Sequence, residues 1–184
     1  LHTNSGANDF FVVKYNSSGT RQWTQQLGTP STEGANGVAT DSSGNVYVVG
    51  VTYGALGDKK FGNSDLFVVK YNSSGTWQWT KQNGTDRYDE ARGVATDSSG
   101  NVYVTGYTEG GLDGNTNAGK ADLFLVKYNS SGTKQWTKQL GTSIFDEAFG
   151  VATDSSGNVY VTGNTEGGLD NNTSAGGSAL FVVK

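Results

Sequence analysis

The stretch Asp122 to Tyr128, DLFLVKY, puts Phe124, Val126 and Tyr128 on one side of an extended chain and Leu123, Leu125 and Lys127 on the other. Both sides are largely apolar, the pattern of a strand whose sheet is covered on both faces. Three neighbouring runs complete a set: Glu90 to Asp97, Asn101 to Thr108, and Thr133 to Leu140. The intervening segments DSSGN (97–101) and NSSGT (129–133) put Asp or Asn first, where its side chain bonds the backbone two residues on. Gly stands fourth, where a positive φ is needed. The pattern predicts a four-stranded antiparallel unit with short hairpin turns.

The unit recurs. FVVKYNSSGT surrounds Lys14 and Lys70, FLVKYNSSGT surrounds Lys127, and Lys184 stands in the equivalent place, at intervals of 56, 57 and 57 residues. GVATDSSGNVYV starts at Gly37, Gly93 and Gly150 with the same period. Four strands in a unit of this length predict β-propeller blades rather than a solenoid. The first strand carries small residues (Gly93, Ala95 and their copies), as a crowded position near an axis requires, and the fourth mixes Trp136 with Gln135, Thr137, Lys138 and Gln139, as suits an outer edge. The fold class expected is all-β, one repeat domain over 1–184. Its units are 15–70, 71–127 and 128–184 after a partial 1–14, and its blades in strand order are 33–82, 89–140 and an incomplete 146–184.

Composition narrows the chemistry. With 28 glycines and only 16 % charged residues, the chain suits short strands and tight turns, not helices. The absence of cysteine excludes disulfides, thiol nucleophiles and cysteine-based zinc sites, and the one histidine, His2, stands beside the N-terminus, a poor place for a catalytic centre. A net charge of −4 without a Lys/Arg cluster argues against nucleic acid. No apolar run approaches the ~18 residues that would insert in a membrane. The lack of an initiator Met and of a signal-peptide pattern suggests a mature product or a segment of something longer.

DSSGNVYVTG after an EA-x-GVAT run, followed by DLFLVKYNSSGT and QWTKQLGT, resembles the SBBP-type bacterial β-propeller repeat over essentially the whole chain. The resemblance implies an extracellular or cell-surface protein and brings no catalytic signature with it. The low-charge, Gly/Asn/Ser/Thr-rich surface leans the same way.

Counted from the N-terminus, the strands fall into groups of two, four, four and three, which is not a whole ring. The last blade lacks a fourth strand and the chain starts with a spare one, Arg21 to Leu27. Arg21, Trp23, Gln25 and Leu27 on that strand, with Leu180 and Val182 on the open blade, are therefore the candidate self-association residues. A homo-oligomeric ring, a filament and a segment of a longer propeller all stay open.

Differences between copies gather in the long loops, including 53–64, 109–121 and 166–178, opposite the near-identical turns. Neutral drift in unconstrained loops accounts for this; a fixed scaffold beneath variable loops equally suits a lectin-like or adhesive module, with carbohydrate as candidate ligand and Tyr53, Trp77, Asp89 and Asp146 as candidate contacts. Asp89/Glu90 and Asp146/Glu147 read as solvated loop charges or cation attractors, since nothing specifies two carboxylates facing across a cleft. Asp113, Asn115, Asn117 and Asp122 alternate as a calcium loop does, and Asp170 and Asn172 partly repeat them, although the glycine is displaced and no glutamate closes the pattern. The default is a hydrogen-bonded Asn/Gly turn, so no cofactor is expected unless calcium fills these loops. The leading expectation is a non-enzymatic structural or assembly protein, with the lectin-like or adhesive module next and a glycan-active enzyme a distant third. The NSS triplets at Asn16, Asn72 and Asn129 read as turn formers, Trp23, Trp79 and Trp136 as packing between blades, and Trp77 as an extra aromatic.

Overall fold

The structure, a computed structural model, describes residues 5–174 and 176–184, so His2 lies outside it. Strands β1 (Phe10–Tyr15) and β2 (Arg21–Leu27) form a two-stranded sheet. Two four-stranded sheets follow, β3 (Glu33–Thr40), β4 (Val46–Thr52), β5 (Asp65–Tyr71), β6 (Trp77–Asn83), then β7 (Asp89–Thr96), β8 (Val102–Thr108), β9 (Asp122–Tyr128), β10 (Lys134–Leu140). The last has three strands, β11 (Asp146–Thr153), β12 (Val159–Thr165) and β13 (Ala179–Val183). Every sheet is an antiparallel meander in chain order. Asp97, Asn101 and Thr133 belong to turns rather than strands, and β7 starts one residue earlier than expected, at Asp89.

The turns form as their chemistry requires. Gly19, Gly44, Gly75, Gly100, Gly132 and Gly157 all have φ between 76° and 85°. At the β7–β8 turn, Asp97 Oδ1 accepts the backbone N–H groups of Ser99 and Asn101, both at 2.9 Å. Its Oδ2 accepts Asn101 Nδ2 at 2.8 Å and the Tyr103 hydroxyl at 3.1 Å. Burial alone would raise this carboxyl, but the four bonds together hold it below the usual carboxylate range. The copy at Asp154 falls to about 2, led by its Asn158 side-chain bond. Gly100→Val should cost about 1 kcal/mol or more in urea denaturation, because its φ of 76° strains any β-branched residue although space for a Cβ exists. An unchanged denaturation midpoint would contradict the turn assignment.

Alternation then sets the layers. In β5, Leu66 and Val68 face the following sheet and join Ala91, Val102, Val104, Phe124 and Val126 in one buried cluster. Phe67 and Val69 face the preceding sheet, where Phe67 stacks on Phe10 with ring centroids 5.0 Å apart. The inner strands touch through side-chain bonds, Thr96 to the Thr40 carbonyl at 2.9 Å and Thr153 to the Thr96 carbonyl at 3.0 Å. The outer turns are latched as well: Lys14 reaches the Ser73 carbonyl and Lys70 the Ser130 carbonyl, each at 2.9 Å. Trp23 donates to the same Ser73 carbonyl at 3.2 Å, and the Trp79 ring closes over Gly132 of the next sheet. Trp136 leans on Tyr103 of its own sheet.

Candidate functional site

The rim opposite the hairpin turns is built on a buried acid at the head of each inner strand. Asp89 accepts the backbone N–H and hydroxyl of Thr85 at 2.6 and 2.9 Å, and the Thr108 hydroxyl closes on its other oxygen. Asp146 repeats this with Thr142 and Thr165, and Glu33 with Thr29 and Thr52. Asp89 and Asp146 are fully buried. They are not solvated rim charges but anchors that tie each entry loop to the end of the second strand, so they do not offer themselves to a ligand. Burial raises the Asp89 carboxyl against the pull of the threonine bonds.

Tyr53 and Trp77 do stay at the surface, 43 % and 55 % exposed. Tyr53 follows β4 on the loop rim, whereas Trp77 opens β6 beside the opposite rim with its indole N–H on the Thr80 hydroxyl at 3.0 Å. One ligand site cannot use both.

Three of the predicted calcium ligands, Asp113, Asn117 and Asp122, accept hydrogen bonds from the protein itself. Asp113, at φ 53°, pairs with Lys134 and accepts from Thr137 and from Asn83 Nδ2, the last at 3.0 Å. Burial would raise it, but these donors hold it below the ordinary range. Asn117 accepts the Gly119 N–H at 2.8 Å, and buried Asp122 accepts the Ala118 N–H at 2.8 Å and Gln139 Nε2 at 2.9 Å. Asn115 and Asn172 each donate to a carbonyl three residues back, Leu112 and Leu169. Among the described residues no group of three or more His, Cys, Asp or Glu stands ready to hold a metal ion.

A further cluster lies on the inner strands. The residue before GVAT differs in every copy, Asn36, Arg92 or Phe149, and sits where the register slips in a β-bulge. Arg92 pairs with Glu90 at 3.3 Å and with Glu147 of the next sheet at 2.8 Å, and its guanidinium lies over Tyr107 and Phe149 at 4.8 and 4.9 Å. Asn36 reaches Glu90 and the Ala91 carbonyl at 3.1 and 2.9 Å. Burial, then Glu90, raises the Tyr107 phenol to about 12. This network joins three sheets. The available signal was this variable residue directly before the constant GVAT.

The first and last sheets expose apolar residues that are buried in the full sheets. Leu180 and Val182 are 89 % and 70 % exposed, whereas their repeat counterparts Leu66 and Val68 are fully buried. Beside β13 lies a cleft of about 390 Å³ that brings Asp170 and Asn172 together with Leu180 and Val182. At the other end Phe11 is 68 % exposed, where its counterpart Phe67 is buried. Arg21 is exposed, and Trp23, Gln25 and Leu27 are half-buried on β2.

The family model of the SBBP β-propeller repeat matches residues 22–58, 78–113 and 135–170. Regulatory protein FlaEY of Caulobacter vibrioides is 28 % identical over 179 residues, which covers 89 % of this chain and 19 % of that protein. The uncharacterized WD repeat-containing protein L264 of Acanthamoeba polyphaga mimivirus is 26 % identical over 168 residues, covering 76 % and 12 %. The chain thus spans a fifth or less of the length of these curated relatives. A solved structure of a protein of unknown function from Bacteroides caccae aligns with a TM-score of 0.49 at 12 % identity, covering 99 % of this chain and 56 % of that one.

Proposed function

The chain belongs to the SBBP family of β-propeller repeats, and we propose that it is a non-enzymatic assembly module of the cell surface or extracellular space, working by self-association through its edge strands. The observation that carries this is the contrast between Leu180 at 89 % exposure and Leu66 at none, on the same position of the same repeat. A free strand edge with uncovered apolar residues is a template for another strand.

The internal sheets say what would fit. In β5–β6, Leu66 pairs with Asn83, Phe67 with Gln82, Val68 with Lys81 and Lys70 with Trp79. The sequence of β2, RQWTQQL, repeats β10, KQWTKQL, at five of seven positions. In register, β2 of a second copy sets Leu27, Gln26 and Gln25 against Leu180, Phe181 and Val182, and Trp23 beside Tyr160, as Trp136 lies beside Tyr103. Leu180 then takes the seat against Phe67 that Phe10 holds within one chain, so β13 replaces β1 in the joint blade. The result is a ring where the curvature closes and a filament where it does not.

Leu180→Lys with Val182→Lys tests this at positions too exposed to matter for folding of the single chain. The double variant is expected to keep its melting temperature at high dilution and to lose self-association in sedimentation velocity. Assembly that persists in the variant would overturn the edge as the contact.

A further inference from the structure

We infer that the outer groove between β6 and the β9–β10 turn is a binding site for an acidic oligosaccharide, one that presents carboxylate or sulfate groups. The groove encloses about 510 Å³ and is lined by Lys59, Lys81 and Lys134 against a single acid, Asp113. Three cations and one anion make it positive on a chain whose net charge is −4. Cations gathered around a cleft concentrate the field and attract an anionic ligand.

The lysines come from three separate elements. Lys59 lies on the β4–β5 loop, Lys81 on β6 and Lys134 at the start of β10 of the next sheet. Lys134 is committed to Asp113, and the Lys59 ammonium rests over the Phe61 ring at 4.4 Å. Lys81 is half-buried, with its stem over Gly132, and among the described residues no hydrogen bond or ion pair engages its ammonium. A half-buried cation left without an anion beside an open cleft is the feature that asks for an external oxyanion. Phe61, 37 % exposed, supplies an apolar ring at the groove's edge, continuous with a smaller cleft of about 160 Å³ shared with Asp58 and Thr80. Sugars pack their C–H faces on such rings while their acidic groups meet the flanking cations.

The repeat sets this groove apart. Where the loop of the second sheet reads Lys59-Lys60-Phe61, that of the third reads Thr116-Asn117-Ala118. The counterparts of Lys134 are Trp77 and Arg21, so this charge pattern belongs to one inter-blade groove and not to the repeat. Loop residues that depart from a constant scaffold are where binding chemistry is usually placed.

The test titrates the intact chain with chondroitin sulfate tetrasaccharide, oligogalacturonate, neutral maltotetraose and polyglutamate, followed by calorimetry and amide chemical shifts. One or both acidic saccharides are expected to bind, with shifts at Lys59, Phe61 and Lys81 and with affinity falling as salt rises. Lys81→Gln should weaken binding about tenfold, and Lys138→Gln, its copy on the outer strand of the next sheet, should leave it unchanged. Binding of neither acidic saccharide, equal binding of maltotetraose, binding of polyglutamate alone, or indifference to Lys81→Gln would each overturn the assignment. Because both variants lie away from β13, the result is independent of whether the chain self-associates.

Discussion

Gly106→Ala is expected to cost about 3 kcal/mol or more and to leave a loosened second full sheet, because the added methyl has nowhere to go. A Cβ at Gly106 would stand 1.9 Å from the Glu90 carbonyl oxygen and 3.0 Å from the Ala91 Cα. Both obstacles are backbone of β7, which cannot rotate aside as a side chain can. The approach is this close because β7 bulges between Ala91 and Gly93, where Arg92 is extruded, and the carbonyl before the bulge is pushed onto β8. Gly50 and Gly163 meet the same obstacle at 1.9 and 2.0 Å, so the constraint belongs to every blade. Urea denaturation of the variant should show a lower midpoint with a broadened transition. A midpoint equal to that of the parent chain would contradict the described register of β7 on β8.

Asp89→Ala is expected to destabilise the protein by about 3 kcal/mol, since three donors inside the fold lose their acceptor at once. These are the Thr85 N–H, the Thr85 hydroxyl and the Thr108 hydroxyl. Asp89→Asn keeps the shape and one acceptor oxygen, so it should cost less. The two acid forms also differ with pH. Burial raises the folded Asp89 pKa above its unfolded value of about 3.9. A carboxyl shifted this way contributes its stability fully below the unfolded value and loses it as pH rises through the folded one. The advantage of the parent chain over Asp89→Asn should therefore be larger at pH 3.5 than at pH 7, in urea denaturation at both. The turn carboxylates, Asp97 and Asp154 among them, are lowered and act in the opposite sense, losing their contribution as pH falls. The comparison with Asp89→Asn cancels them. A gap that widens toward neutral pH would show Asp89 to be stabilised in its charged form.

The fold was legible because its signals are local and repeated. Gly100 in DSSGN and Gly132 in NSSGT announce positive φ, and the residues around them bracket strands whose apolar alternation survives into the packing, as Leu66 and Phe67 show by facing opposite neighbours. The site was less legible, because burial is not local. Asp89 and Asp146 look like loop charges in a one-dimensional reading, and only the sheet brings Thr108 and Thr165 across from the second strand to enclose them. The pairing of each acid with a threonine four residues before it, Thr85 and Thr142, and with Thr29 before Glu33, was the available clue. Asp113 illustrates the same limit: its spacing resembles a calcium loop, but a left-handed turn carries it to Lys134, twenty-one residues on, and that contact leaves no trace in the spacing. The Asn36, Arg92 and Phe149 series stood in plain view before each constant GVAT, yet its meaning depends on a bulge that pattern alone does not reveal.

Recruitment of another copy by the open β13 edge is read out by sedimentation equilibrium of the 184-residue chain at micromolar concentration. Species of at least twice the 19.3 kDa chain mass are expected, with a monomer fraction that grows on dilution. A folded, monodisperse species at 19.3 kDa across that range would contradict it.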